Sequence, residues 1–130
     1  MKHYNVVAAV ISHNNQFLCM QKGKTKYHYT SYKFEFPGGK IEPGETPQEA
    51  LQRELMEEMD YKINVGKQLV TVNHTYPDFS ITLTAFLCTA DNPTFHMNEH
   101  IAYEWRCKES LAGLDWAAAD TGIVEAIQSL

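Results

Sequence analysis

Cysteine is scarce in this chain and never clustered. Cys19, Cys88 and Cys107 stand far apart, and no Cys-x-x-Cys pair occurs. That argues against a disulfide framework and against a cysteine-based zinc site. Two of the thiols fall in apolar, strand-like runs and read as buried free thiols of a reducing compartment. Long hydrophobic runs are also missing. No segment is long enough to span a membrane. The N-terminal run in MKHYNVVAAVISHNN is too short for a signal peptide and passes directly into a strand pattern. The expected compartment is therefore the cytoplasm, with no membrane partner. Positive charge is in deficit: 11 Lys and Arg face 16 Asp and Glu, giving a formal charge of −5. Nucleic acid wants a basic field, so none is expected as a partner. A phosphorylated small molecule remains compatible if metal ions bridge the like charges. Repeats, low-complexity tracts and linkers are absent, and the 130 residues read as one domain, 1–130, large enough for a hydrophobic core. Monomer and homodimer both remain open.

The pattern that is present alternates strands with two helices. Tyr4 to Ile11 reads as a buried strand, His13 to Gln16 as a turn, and Phe17 to Met20 as the hairpin partner. The stretch QKGKTKYHYTSYK is polar and basic and reads as a mobile loop. Lys33 to Phe36 is a short strand stopping at Pro37-Gly38-Gly39, and Pro43-Gly44 suits the centre of a type II turn. Thr46 as N-cap, Pro47 at the first helical position and Glu49 two positions later form a capping box. Leu51, Leu55 and Met59 then make a core-facing stripe. Lys67 to Asn73, Ser80 to Thr89 and Tyr103 to Cys107 read as strands, with Tyr76-Pro77-Asp78 as a turn. Thr121 to Leu130 reads as a closing helix. Two helices against five or six strands suggest a mixed sheet with helices packed on it, an α/β or α+β domain.

The chemistry concentrates in GGKIEPGETPQEALQRELMEEMDY, from Gly38 to Tyr61. Glu54, Glu57 and Glu58 lie at i, i+3 and i+4 and share one helix face, where like charges repel. A hard divalent cation wants such carboxylates, because Mg²⁺ and Mn²⁺ bind through carboxylate oxygens, water and substrate phosphates. Gly38, Gly39 and Gly44 allow positive φ or a close approach of the backbone to a ligand. Lys40 can meet a phosphate as a point charge, or be a solvated lysine. Glu49 is accounted for by the capping box and Glu42 by a solvated turn. Arg53 points elsewhere on the helix than Glu54 and can make a bidentate pair with Glu45, tying the turn to the helix.

This segment resembles the Nudix box: Gly, five residues, Glu, seven residues, then Arg-Glu-aliphatic-x-Glu-Glu-x-Gly-aliphatic. Gly39, Glu45, Arg53, Glu54, Leu55, Glu57 and Glu58 match in register. Two positions depart, with Asp60 in place of the last glycine and Tyr61 in place of the last aliphatic residue. Asp tolerates the left-handed region, so it can still end the helix. The likeness covers nearly the whole chain. VVAAVI, KFEFPGGKIEPGETPQEALQREL, YPDFSITLTAF and the tail NEHIAYEW…LDWAAAD…IVEAI look like MutT-type nucleoside triphosphate pyrophosphohydrolases, and the tail is closest to the bacterial CTP pyrophosphohydrolases.

The resemblance implies a Nudix fold, an α/β/α sandwich with a mixed sheet. It implies that Glu54, Glu57 and Glu58, with the Gly39 carbonyl, bind Mg²⁺ or Mn²⁺, and that the metals neutralise phosphates and lower the pKa of a water. Glu99 stands where the family carries a further loop glutamate serving as base; its alternative is a surface loop acid. The implied reaction is water attack on a bridging diphosphate of a nucleoside triphosphate, releasing a nucleoside monophosphate and pyrophosphate. By the same resemblance, Phe36, Tyr76, Asp78, Phe79 and Asp120 line the base pocket, since rings stack on bases and a carboxylate accepts from an exocyclic amine. Asp120 fits equally as N-cap of the last helix. Lys22 is the best placed of Lys22, Lys24, Lys26 and His28 to meet the triphosphate. His96 and His100 read as loop residues, since no spacing supports a zinc site. CTP or a modified dCTP is the implied substrate and 8-oxo-dGTP the alternative. A non-catalytic nucleotide-sensing domain would be expected to lack box carboxylates, and here all are present.

Overall fold

The computed structural model describes residues Met1–Leu130. Its central strand is β1, Lys2–His13. The run Val7 to Ile11 is buried throughout because the strand is covered on both faces. Alternate side chains divide between two cores. Ala8 and Val10 join one cluster with Trp116, Ile123 and Ile127, while Val7, Ala9 and Ile11 join another with Leu51, Leu55 and Met59. A period of two thus sends one continuous apolar run to two helices on opposite sides.

The remaining elements are β2 (Gln16–Gln21), β3 (Phe34–Glu35), β4 (Gly38–Lys40), α1 (Pro47–Met59), β5 (Asn64–Thr75), β6 (Phe79–Thr89), β7 (Ala102–Cys107) and α2 (Thr121–Gln128). The sheet is mixed. β1 runs parallel to β6, from Lys2↔Phe79 to Ile11↔Cys88, and β6 pairs antiparallel with β5. β1 also pairs antiparallel with β4, and at its end with β2, which carries β3 on one side and β7 on the other. With helices on both faces this is the α/β sandwich around a mixed sheet. The hairpin turn takes Asn14 and Asn15 at positive φ, the type that two-residue loops favour.

The helix start forms as its residues dictate. Thr46 accepts from Glu49 N, and Glu49 Oε1 accepts from Thr46 N at 2.9 Å. The turn before it closes through Glu45 N donating to Glu42 O at 3.1 Å, with Gly44 at φ 84°. At the other end Asp60 adopts φ 48°, ψ 43°. Its N–H and that of Tyr61 close back on Met56 and Leu55, so the departure from glycine still terminates the helix. Leu51, Leu55 and Met59 are fully buried, each contributing about 1.5–3 kcal/mol.

Three expectations are corrected. Gly38 and Gly39 do not take positive φ; they form β4, and glycine is needed because a Cβ on Gly38 would overlap the Val7 carbonyl. The stretch Gln21–Lys33 is a fastened wall. Thr25 Oγ1 sits 2.6 Å from Thr30 Oγ1 and donates to Tyr27 O at 2.8 Å, and the Tyr27 and Tyr29 rings stack on Phe79 and Tyr76. Asp120 does not cap α2, since its side chain makes no bond to that helix. The tail also holds short 3-10 turns at Lys108–Gly113 and Ala118–Asp120, too brief to leave a periodic signal.

The capping box yields a direct test. Thr46→Ala is expected to lower unfolding free energy by about 1 kcal/mol in urea denaturation. An unchanged midpoint would show that the cap does not hold the helix start.

Candidate active site

A cavity of about 600 Å³ opens between β1, β3, β4, the Gln21–Lys33 wall and the segment before β7. Its acidic end is built by α1. Glu58 faces inward and is buried, and its Oε2 has no hydrogen-bond partner. Burial, together with the charges of Glu35, Glu54 and Glu99, pushes its carboxyl up to about 9. Such a carboxyl escapes the cost of an unpaired buried charge by keeping its proton, and a cation beside it would let it ionise.

Arg53 organises the acids beside it. Its Nε and Nη2 bind both oxygens of Glu45 at 2.6 and 2.9 Å, and Nη2 also donates to the Lys40 carbonyl at 3.0 Å. The pair holds the Glu45 carboxyl below its usual range. Nη1 reaches Glu54 Oε1 at 2.9 Å and Glu57 Oε2 at 3.3 Å, so Arg53 lies over these acids rather than pointing elsewhere. Gly39 lies against the Glu54 carboxylate so closely that any Cβ would overlap it. The carboxylates are not closed into a cage: no three His, Cys, Asp or Glu side chains converge as a ligand group. A small hard cation does not need one, since it keeps several waters and uses one or two carboxylates plus substrate phosphates. The orphaned Glu58 oxygen, the Glu54 carboxylate and the bare backbone of Gly39 are therefore donors that fit such an ion. Glu57 is largely exposed on the same face.

Glu99 reaches the cavity from a loop with no regular structure. That loop is tied to the end of α1, where helix carbonyls lack partners. His96 N donates to Met59 O at 2.9 Å, Asn98 N to Glu58 O at 3.0 Å, and Asn98 Nδ2 to Glu57 O at 3.2 Å. Glu99 follows directly and lines the cavity with Glu58.

The other end is aromatic. Trp116 stacks on Phe36 with centroids 4.7 Å apart, and the backbone around it binds Phe34 on both sides. This places Asp120 over β3, where its Oδ2 accepts from Phe36 N at 2.9 Å. Burial and the nearby Glu35 raise the Asp120 carboxyl to about 8. A buried acid so raised is mostly protonated at neutral pH and can donate as well as accept. Tyr76 accepts from Ala119 N at 3.0 Å, and Phe79 packs against it.

The structure brings Lys22, Phe36, Gly39, Lys40, Glu58, Tyr76, Phe79, Glu99 and Asp120 onto the cavity wall. Lys40 Nζ lies 4.1 Å from the Tyr4 ring centroid. Asp78 is not on that wall; its Oδ2 accepts from Tyr29 OH at 2.7 Å and fastens the loop. Arg53, Glu54 and Glu57 stand just outside it, along α1. Sequence reasoning missed Glu35 and the role of His100. Glu35 lies between the two ends, with Oε1 3.3 Å from Lys22 Nζ and Oε2 2.9 Å from His100 Nε2. Burial opposes the Lys22 charge, but Glu35, Asp120 and Tyr76 together outweigh it and raise the lysine pKa. The only available signal was a polar residue in a strand otherwise buried, at FEF.

The chain matches the NUDIX domain over residues 1–126. It is 43% identical over 90 residues to an 8-oxo-dGTP diphosphatase of Proteus vulgaris, covering 68% of this chain and 78% of that one. It is 32% identical to the CTP pyrophosphohydrolase of Escherichia coli, over 100% of this chain and 95% of the relative. The solution structure of the E. coli ORF135 protein superposes with a TM-score of 0.84 at 31% identity, covering 100% and 91% of the two chains. Family members act on the diphosphate bonds of nucleotides and generally use divalent metal ions. The box residues around α1, the mixed sheet that carries them, the domain match over residues 1–126 and the full-length likeness to an E. coli relative together establish that this chain belongs to the Nudix hydrolase family.

Proposed function

We propose that the chain is a metal-dependent nucleoside triphosphate pyrophosphohydrolase that releases a nucleoside monophosphate and pyrophosphate, with CTP, dCTP or a modified pyrimidine nucleotide as substrate. The supporting observation is the division of one cavity into a carboxylate end at Glu58 and Glu99 and an aromatic end at Phe36 and Asp120, with Lys22 and Lys40 on its wall. Glu54, Glu57 and Glu58 are the proposed ligands of Mg²⁺ or Mn²⁺, with the Gly39 carbonyl and Glu99. When bound, such an ion neutralises phosphate charge and lowers the pKa of water. Arg53 holds Glu45, Glu54 and Glu57 in place and so sets the ligand geometry without touching the reacting atoms. Glu99 is the proposed base that takes the proton of the attacking water. Lys22 and Lys40 supply point charges to the phosphates. Free thiols at Cys19 and Cys88, both buried, suit a reducing compartment, and the cytoplasm is the proposed location.

At the base end, Phe36, Tyr76 and Phe79 offer ring faces, and Asp120 offers the group that distinguishes bases. Asp78 supports the loop through Tyr29 instead. The full-length likeness to a CTP pyrophosphohydrolase favours cytosine, whose amino group an Asp120 oxygen would accept. An 8-oxo-dGTP substrate is the second reading. It is favoured by the 43% likeness to a diphosphatase of that nucleotide and by a protonated Asp120, which pairs a donor with an acceptor.

Glu57→Gln is expected to leave the unfolding midpoint nearly unchanged and lower kcat about 100-fold or more. Near-normal hydrolysis with Mg²⁺ would remove Glu57 from the ligand set. Glu99→Gln is expected to lower kcat about 100-fold with little change in KM; a defect confined to KM would reassign it to substrate binding. In a panel of nucleotides assayed for pyrophosphate release, CTP or dCTP is expected to show the highest kcat/KM, and Asp120→Asn to erode that preference. A maximum on 8-oxo-dGTP would select the second reading, and equal activity on all nucleotides would argue against a selective pocket.

A further inference from the structure

His100 is a loop residue by sequence, yet its side chain is only 4% exposed. Its Nε2 lies 2.9 Å from Glu35 Oε2, with the carboxylate accepting the N–H, and its Nδ1 is buried without a partner. Burying an imidazole with one nitrogen unpaired is unfavourable unless the other contact matters. The contact spans 65 positions in sequence and joins the loop to β3, two residues before the Pro37-Gly38 step into β4.

Within two residues of Glu99 the loop is fastened at three residues, Asn98, His100 and Ile101. Before it, Asn98 is bonded to the end of α1 through both its backbone N–H and its side chain. After it, Ile101 N donates to Gln21 O at 3.0 Å, tying the chain to β2. His100, the immediate neighbour of Glu99, is the only one of these anchored by a side-chain bond into the cavity wall itself. A glutamate on an irregular loop has many accessible orientations, and fixing its neighbours removes most of them.

We propose that His100, through its bond to Glu35, is the positioning residue for Glu99: it pins the loop so that Glu99 faces Glu58 across the acidic end of the cavity. This inference rests on the reading of Glu99 as the base. Glu35 serves the clamp because Lys22 holds its Oε1, leaving Oε2 fixed toward His100. His100 does not touch substrate; it acts by limiting where Glu99 can go.

The test compares two polar amides of different reach. In His100→Gln the side-chain nitrogen extends as far as Nε2 and can still donate to Glu35; in His100→Asn it falls short. With CTP and Mg²⁺, H100N is expected to lower kcat about 10- to 100-fold with KM within about threefold, and H100Q to recover most of the loss. In the Glu99→Gln background H100N is expected to cost nothing further, because the group it positions is gone. In the metal-free protein, amide exchange at Asn98 and Ile101 is expected to quicken about tenfold in H100N and not in H100Q. Equal kcat for H100N and wild type, an additive loss with Glu99→Gln, or unchanged amide exchange would each overturn the inference. Absence of hydrolysis by the wild type would instead overturn the functional reading, and the exchange comparison would still decide whether the clamp exists.

Discussion

The Arg53 guanidinium is the interaction on which the site depends. Acids crowd the same end of one helix and the turn before it, and they would repel one another. Arg53 answers this by binding Glu45 through two nitrogens, Glu54 and Glu57 through a third, and the Lys40 carbonyl besides. The planar fork matters, because a lysine could offer the charge but not the several fixed directions. The contact to Lys40 fixes β4 as well, so one side chain joins the turn, the strand and the helix. The remaining acid, Glu58, makes no bond to Arg53; it is buried, and its Oε2 has no hydrogen-bond partner.

The base end follows from a different constraint, the pairing of the segment around Trp116 with β3. Phe34 binds Asp115 O and Ala117 N on its two sides, and Trp116 stacks over Phe36. That docking carries Asp120 to the Phe36 amide, which is why its carboxylate is spent on β3 and not on capping α2. Glu35 stands between the ends. Burial is the main cause of the raised Glu58 and Asp120 carboxyls, and the Glu35 charge adds to both, so the acids of the two ends share one electrostatic environment.

Local signals were legible in the sequence wherever one element contained the whole reason. The capping box, the Leu51-Leu55-Met59 stripe, the Asn14-Asn15 hairpin and the left-handed Asp60 each depend on neighbours a few positions away, and each forms as read. The Arg53–Glu45 pair was legible because the turn and the helix are fixed relative to one another by the same short segment. What was not legible depends on distant pairing. Gly38 is required by the Val7 carbonyl on another strand, which no local reading of a Gly-Gly step could supply. Asp78 was assigned to the base pocket, but Tyr29, far away in sequence, captures it. His100 read only as a loop residue because its partner, Glu35, belongs to β3. The wall at Gln21–Lys33 looked mobile from its charge and polarity, yet Tyr27 stacks on Phe79 at the start of β6 and Tyr29 on Tyr76 in the turn before it.

We propose that this carboxylate array serves hydrolysis of a nucleoside triphosphate between its α- and β-phosphates with the help of a divalent cation. The most direct measurement is product identification by phosphorus NMR after incubation of the protein with CTP, with Mg²⁺ and with a chelator in its place. CMP and pyrophosphate are expected in equal amounts with Mg²⁺, and no turnover with the chelator. Release of CDP and inorganic phosphate, or undiminished hydrolysis without a divalent cation, would contradict it.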